Sequence, residues 1–97
     1  MSFSEEQLVQ CATTFNHGCN GGSMQIALMY YKTHHPALES VYPYTSGTGV
    51  QGTCNESVET VDSVRVASVK TVQSNSWENG LKAALAQGPV SVAIEAD

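Results

Sequence analysis

The chain has 97 residues, 41% of them apolar and 13% charged, with three cysteines, four Lys and Arg in total and a net charge of −5. That suits one modest domain with a thin core and argues against intrinsic disorder. So few cations leave no basic patch to follow a phosphate backbone, and no apolar run approaches the ~20 residues that span a bilayer, so neither nucleic acid nor a membrane is an expected partner.

Met1 leads at once into a helix start with no signal-peptide pattern, which reads as an initiator Met on an internal segment of a longer protein. Ser4-Glu5-Glu6-Gln7 fits a capping box: the Ser4 hydroxyl accepts from the Gln7 amide, the Gln7 side chain reaches back, and the two acids suit the positive helix end. A short helix is expected over about residues 5–12. His17-Gly18-Cys19-Asn20-Gly21-Gly22 is too rich in glycine for regular structure. Ser23 then reads as an N-cap, and Met24, Ala27, Leu28 and Tyr31 repeat at helical spacing, predicting a second helix to about Thr33 that stops before Pro36.

Residues 36–60 lack periodicity and predict a long irregular stretch, of a length that is uncommon unless functional or cross-linked. It holds Tyr42-Pro43-Tyr44 and Cys54, followed by the glycosylation triplet Asn55-Glu56-Ser57. Residues 61–72 alternate, with Val64, Val66 and Val72 as the apolar set, which predicts a strand. Asn75 or Ser76 would cap a third helix with Trp77, Leu81, Ala84 and Leu85 on one face, ended by Gly88-Pro89. Val90, Val92 and Ile94 alternate with Ser91, Ala93 and Glu95 as a second strand. The composition shifts near Asp62, where a lobe boundary is placed. There is no internal repeat.

Four stretches together resemble the papain family of cysteine proteases, closest to its cathepsin L-like members. They are Ser4-Glu5-Glu6-Gln7-Leu8-Val9-Gln10-Cys11, Gly18-Cys19-Asn20-Gly21-Gly22, Tyr42-Pro43-Tyr44 and Gly88-Pro89-Val90-Ser91-Val92-Ala93-Ile94. They fall in the family's order and cover the chain nearly end to end, and Gly-Cys-Asn-Gly-Gly is the most specific of them. The resemblance implies an α+β protein with a partial papain-like fold. Residues 1–62 would form the end of the helical lobe, and residues 63–97 the start of the β-barrel lobe.

Thiol proteolysis needs a thiolate, a His to shuttle its proton and a group that orients the His. The family's nucleophile motif is not in this sequence. None of Cys11, Cys19 or Cys54 matches the nucleophile, and none of His17, His34 or His35 matches the base. The chain is therefore expected to be inactive alone, with catalytic residues none and cofactors none, while the parent protein hydrolyses peptide bonds. The family pattern pairs Cys11 with Cys54, which would stabilise by roughly 4 kcal/mol on the chain-entropy model, and leaves Cys19 unpaired.

The resemblance also implies that Gly21 and Gly22 offer backbone to an extended peptide substrate, with Ser23, Met24 and Ala93 around an apolar pocket for the side chain two residues before the cut. Without the family, the glycines would read as a tight turn and Met24 and Ala93 as core. His17 reads as cleft rim or ordinary surface, and His34-His35 as a solvated helix end. The four tyrosines read as core and turn packing, and Glu56, Glu59 and Asp62 as a solvated acidic run.

Expected partners are a peptide or protein substrate in the parent enzyme and the remainder of the protease chain, with self-association of a cut fragment. Disulfide and sequon together point to a lysosomal or secreted parent. Two other readings compete: a non-proteolytic papain-like homologue, and a small disulfide- or zinc-bound interaction module. The zinc reading lacks the close Cys pairs of structural zinc sites and expects no metal.

Overall fold

The computed structural model describes residues 1–72 and 77–93, the side chain of Trp77 excepted. Among them are three α-helices, α1 over Glu5–Cys11, α2 over Met24–Thr33 and α3 over Trp77–Leu85, with a 3-10 turn at Gly18–Asn20. The expected caps Asn75 and Ser76, the Trp77 side chain and the end of the second predicted strand, Ile94 and Glu95, lie outside the described residues.

The start of α1 is specified by Ser4. Its backbone is extended and its hydroxyl oxygen accepts from the Gln7 amide at 3.1 Å, as the capping pattern requires. The reciprocal arm of the box is not made. The Ser4 N–H donates to the Ala37 carbonyl at 2.9 Å, and the Gln7 side chain turns to the same segment, with Ala37 N–H donating to Oε1 and Nε2 donating to the His35 carbonyl. The cap thus becomes a tertiary clamp between α1 and the chain after α2.

Glu6 extends that clamp. It is fully buried, with Oε1 accepting from the amides of Thr45 and Ser46 at 2.9 and 3.0 Å and Oε2 accepting from the Ser46 hydroxyl at 2.6 Å. Burial pulls the carboxyl's pKa upward, but the Ser46 hydroxyl and the two amides outweigh it and hold the group below its ordinary value of 4.5. The sequence pattern places Glu6 with Glu5 in the first turn of α1, as observed, and the structure adds that Glu6 is an internal anchor. Tyr42, also buried, sits in the same hub. Its carbonyl accepts from the Ser4 hydroxyl at 2.6 Å, and its own hydroxyl donates to Gln10 and accepts from the Asn55 amide at 3.1 Å.

The irregular stretch after α2 is therefore pinned by polar contacts. A disulfide joins Cys11 at the end of α1 to Cys54, 43 residues on. Buried apolar side chains among the described residues are Ala12, Pro36, Ala37 and Tyr42, against the buried polar Ser4, Glu6, Gln7 and Ser46, so the centre is thin and more polar than a typical core.

Helix α2 begins where expected, with Ser23 in extended geometry, though the Ser23 side chain makes no capping bond. None of its residues is fully buried. His34 ends the helix, its ring stacked on Tyr30 with centroids 4.1 Å apart, in accord with an exposed helix end. His35 departs from that reading: it is half-buried, and its Nδ1 lies 3.1 Å from the Val64 carbonyl. In α3, Leu81 and Ala84 are half-buried but Leu85 is largely exposed.

The two predicted strands are not formed among the described residues. Among the described residues the one β-pairing is an isolated bridge between Phe3 and Leu38, and neither 61–72 nor 90–93 belongs to a ladder. The alternation is visible in burial, with Val64 and Val66 half-buried and Arg65 and Ala67 exposed. A strand also needs a neighbour for its N–H and C=O groups, and this segment meets α2 instead. The Val61 N–H donates to the Pro36 carbonyl at 2.8 Å, and the Val66 N–H to the Tyr31 carbonyl at 3.1 Å.

Two outcomes follow. Because Glu6 titrates lower when folded, its stabilisation is present above the unfolded value and is lost as pH falls through the folded one. Glu6→Gln should lower the melting temperature at pH 7 and make the loss of stability below about pH 4.5 shallower than in the wild type, as followed by circular dichroism. Cys54→Ser should lower the unfolding free energy by up to roughly 4 kcal/mol, read by urea titration.

Candidate functional site: the glycine loop and its cavities

The loop between α1 and α2 is closed by its own hydrogen bonds. The His17 N–H donates to the Gly21 carbonyl at 2.8 Å, the Asn20 N–H to the His17 carbonyl at 2.9 Å, and the Ser23 N–H to Asn16 Oδ1 at 2.6 Å. Asn16 thus ties down the entry to α2 through the N–H of the N-cap residue, while the capping bond expected of the Ser23 hydroxyl is not made; sequence reasoning missed Asn16 because it lies outside the local capping pattern.

Two glycines are required for different reasons. Gly21 has φ +108°, a conformation that L side chains rarely adopt. A Cβ on Gly22 would stand 2.5 Å from Asn16 Oδ1, so that position stays bare for the Asn16–Ser23 bond to form. Gly21 and Gly22 are both exposed, and neither the N–H nor the C=O of Gly22 has a partner among the described residues. Gly21 differs, since its carbonyl is occupied by His17.

Two cavities meet at Met24, the first residue of α2, and one of them is lined by the loop. One of about 270 Å³ is lined by Leu8, Val9, Asn16, Gly22, Ser23 and Met24, among others. The other, of about 660 Å³, brings Met24 and Leu28 of α2 together with Val72, Leu81, Pro89 and Val90. Met24, with 42% of its surface exposed, borders both. The structure therefore joins Gly21, Gly22, Ser23 and Met24 at one edge and carries the Gly88-Pro89-Val90-Ser91 stretch to the far side of the Met24 cavity. Ala93, the other expected wall of the pocket, is exposed and does not line it.

His17 is exposed beside the loop, and Cys19 is a free, exposed thiol. Cys11 is consumed by its disulfide and cannot serve as a zinc thiolate, and no group of three metal-ligating side chains converges among the described residues. Burial, reinforced by neighbouring Tyr30, pushes the Tyr31 phenol up to about 12, so it remains a donor to Gln7 Oε1 at neutral pH.

Sequence comparison gives the family. Residues 1–97 match the papain family of cysteine proteases, to which this chain belongs. It is 41% identical over 97 residues to the probable cysteine protease RD21B of Arabidopsis thaliana, covering 99% of this chain and 20% of that protein. Vignain of Ricinus communis is likewise 41% identical, with 99% of this chain and 26% of the relative covered. The thiol protease SEN102 of Hemerocallis is 38% identical over 96 residues, again covering 26% of its length. The chain thus spans a fifth to a quarter of the curated relatives it matches.

Gly22→Ala should break the Asn16–Ser23 bond by steric conflict, and Asn16→Ala should break it by removing the acceptor. Both should move the Ser23 amide resonance upfield in an ¹H–¹⁵N spectrum, and each should destabilise by about 1 kcal/mol.

Proposed function

We propose that this chain is part of a cysteine endopeptidase and supplies one wall of its non-prime substrate cleft. Residues 1–62 would belong to the helical lobe and 63–97 to the opening of the barrel lobe. The clamp around Glu6 and Tyr42, which lies wholly before residue 62, supports that division.

The observation that carries the reading is the unpartnered backbone of Gly22. An extended peptide binds along such an edge by exchanging main-chain N–H and C=O bonds, as a strand does when added to a sheet. A side chain there would hold the peptide off. Ser23 and Met24 come next in the chain, and Met24 borders a largely apolar cavity of about 660 Å³. That favours a substrate with an apolar side chain two residues before the scissile bond. Ala93 joins this pocket in the present reading only once barrel strands align the stretch after Pro89.

The chemistry belongs to groups outside this chain. A thiolate would attack the carbonyl, an acyl-enzyme would form with expulsion of the amine, and water would release the acid, with a His moving the proton at each stage. The free thiol of Cys19 lies in an open turn with no His hydrogen-bonded to it and is assigned no catalytic role. The Cys11–Cys54 disulfide supports an oxidising destination, lysosome-like or secreted, for the parent.

A chimera tests this directly. These 97 residues replace the matching segment of Ricinus communis vignain, and cleavage of fluorogenic peptides is measured. The expected outcome is retained activity with an apolar preference two residues before the cut, and a drop in kcat/KM of about tenfold or more for Gly22→Ala. The isolated chain should show no turnover. A folded chimera whose kcat/KM is indifferent to Gly22→Ala would sink the cleft assignment.

A further inference from the structure

The triplet Asn55-Glu56-Ser57 is the single Asn-x-Ser/Thr sequence in the chain, and the cleft reading makes no use of it. We propose that Asn55 is an acceptor site for an N-linked oligosaccharide. The side-chain geometry carries this further than the triplet alone. Asn55 is exposed, and its Oδ1 accepts from both the Ser57 amide at 3.1 Å and the Ser57 hydroxyl at 2.6 Å. Its Nδ2, the atom that would bear the sugar, has no hydrogen-bond partner among the described residues.

The backbone beneath is fixed. The Asn55 N–H donates to the buried Tyr42 at 3.1 Å, and the preceding residue, Cys54, is tied by the disulfide to α1. A modification at Nδ2 therefore displaces no internal contact. Asn55 also borders a groove of about 270 Å³ with Tyr30, His34, Val58 and Thr60. The stacked Tyr30 and His34 rings give the innermost sugar an aromatic surface to lie on. None of Gly21, Gly22, Ser23 or Met24 lines that groove, so a glycan there leaves the substrate edge clear.

The reaction needs a polyprenyl-pyrophosphate-linked oligosaccharide and a host transferase. Nδ2 bonds to C1 of the reducing-end sugar, the C1–O bond to pyrophosphate breaks, the amide proton passes to a base of the transferase, and nothing is oxidised or reduced. The inference rests on the secretory destination proposed for the parent protein, and is independent of its protease activity.

The test is translation of the chain into microsomes behind a borrowed cleavable leader, so that delivery does not depend on its own route. A second version with an acceptor tripeptide appended after Asp97 reports delivery. The expected product is one glycan heavier, sensitive to endoglycosidase, absent from Asn55→Gln and Ser57→Ala, and still carrying the Cys11–Cys54 bond by alkylation mass. Modification of the appended tripeptide with Asn55 left bare would overturn the proposal. So would a glycan confined to molecules lacking the disulfide, because the folded site would then not tolerate it. A glycan on Asn55 here, with none on protein from its natural source, would support the acceptor and refute the destination, and neither result bears on the chimera's activity.

Discussion

A single buried carboxylate organises this structure. Glu6 is withdrawn from water and compensated by two backbone amides and a hydroxyl, all from Thr45 and Ser46. A buried charge is tolerated only when its lone pairs are filled, and here they are filled by a loop that has no regular secondary structure of its own. The dependence runs both ways: the loop gains a fixed path, and α1 gains a reason to be helical despite its length of seven residues. Ser4, Gln7 and Tyr42 extend the same logic, so that polar contacts do much of what an apolar core does in larger domains.

From that hub the candidate site follows by geometry. Helix α1 ends at Cys11, where the disulfide fixes it, and the chain then has eleven residues before Ser23 opens α2. Asn16 draws the loop shut, His17 takes the Gly21 carbonyl, and the backbone of Gly22 is left exposed with neither its N–H nor its C=O engaged among the described residues. The edge is thus a stretch of exposed loop backbone beside the bonds that hold the loop shut. At Asn55 the side-chain oxygen is doubly engaged by Ser57 while its nitrogen is not.

Much of the helical part was legible in the sequence, because its signals are local. The Ser4 cap, the helical repeat from Met24 to Tyr31 and the stop before Pro36 each depend on residues within a few positions of one another. Family resemblance, carried chiefly by Gly18-Cys19-Asn20-Gly21-Gly22, pointed to the glycine loop. What was not legible is long-range. Nothing in Ser-Glu-Glu-Gln tells which acid turns inward, since Glu5 and Glu6 differ only by the partners that wait some forty residues away. Nor could Asn16 be distinguished from any loop asparagine before Ser23 was seen within its reach. The strands failed for a related reason. Val64 and Val66 carry the alternation of a half-buried strand, but pairing is a property of two segments, and the described residues bring α2 rather than a second strand to this one.

Amide hydrogen exchange on the intact chain near neutral pH tests the central claim most directly. The account predicts strong protection of the Thr45 and Ser46 amides, which no helix or sheet would otherwise shield, together with exchange of the Gly22 amide at close to the rate of an unstructured peptide. Rapid exchange at Thr45 and Ser46, or a protected Gly22, would contradict it.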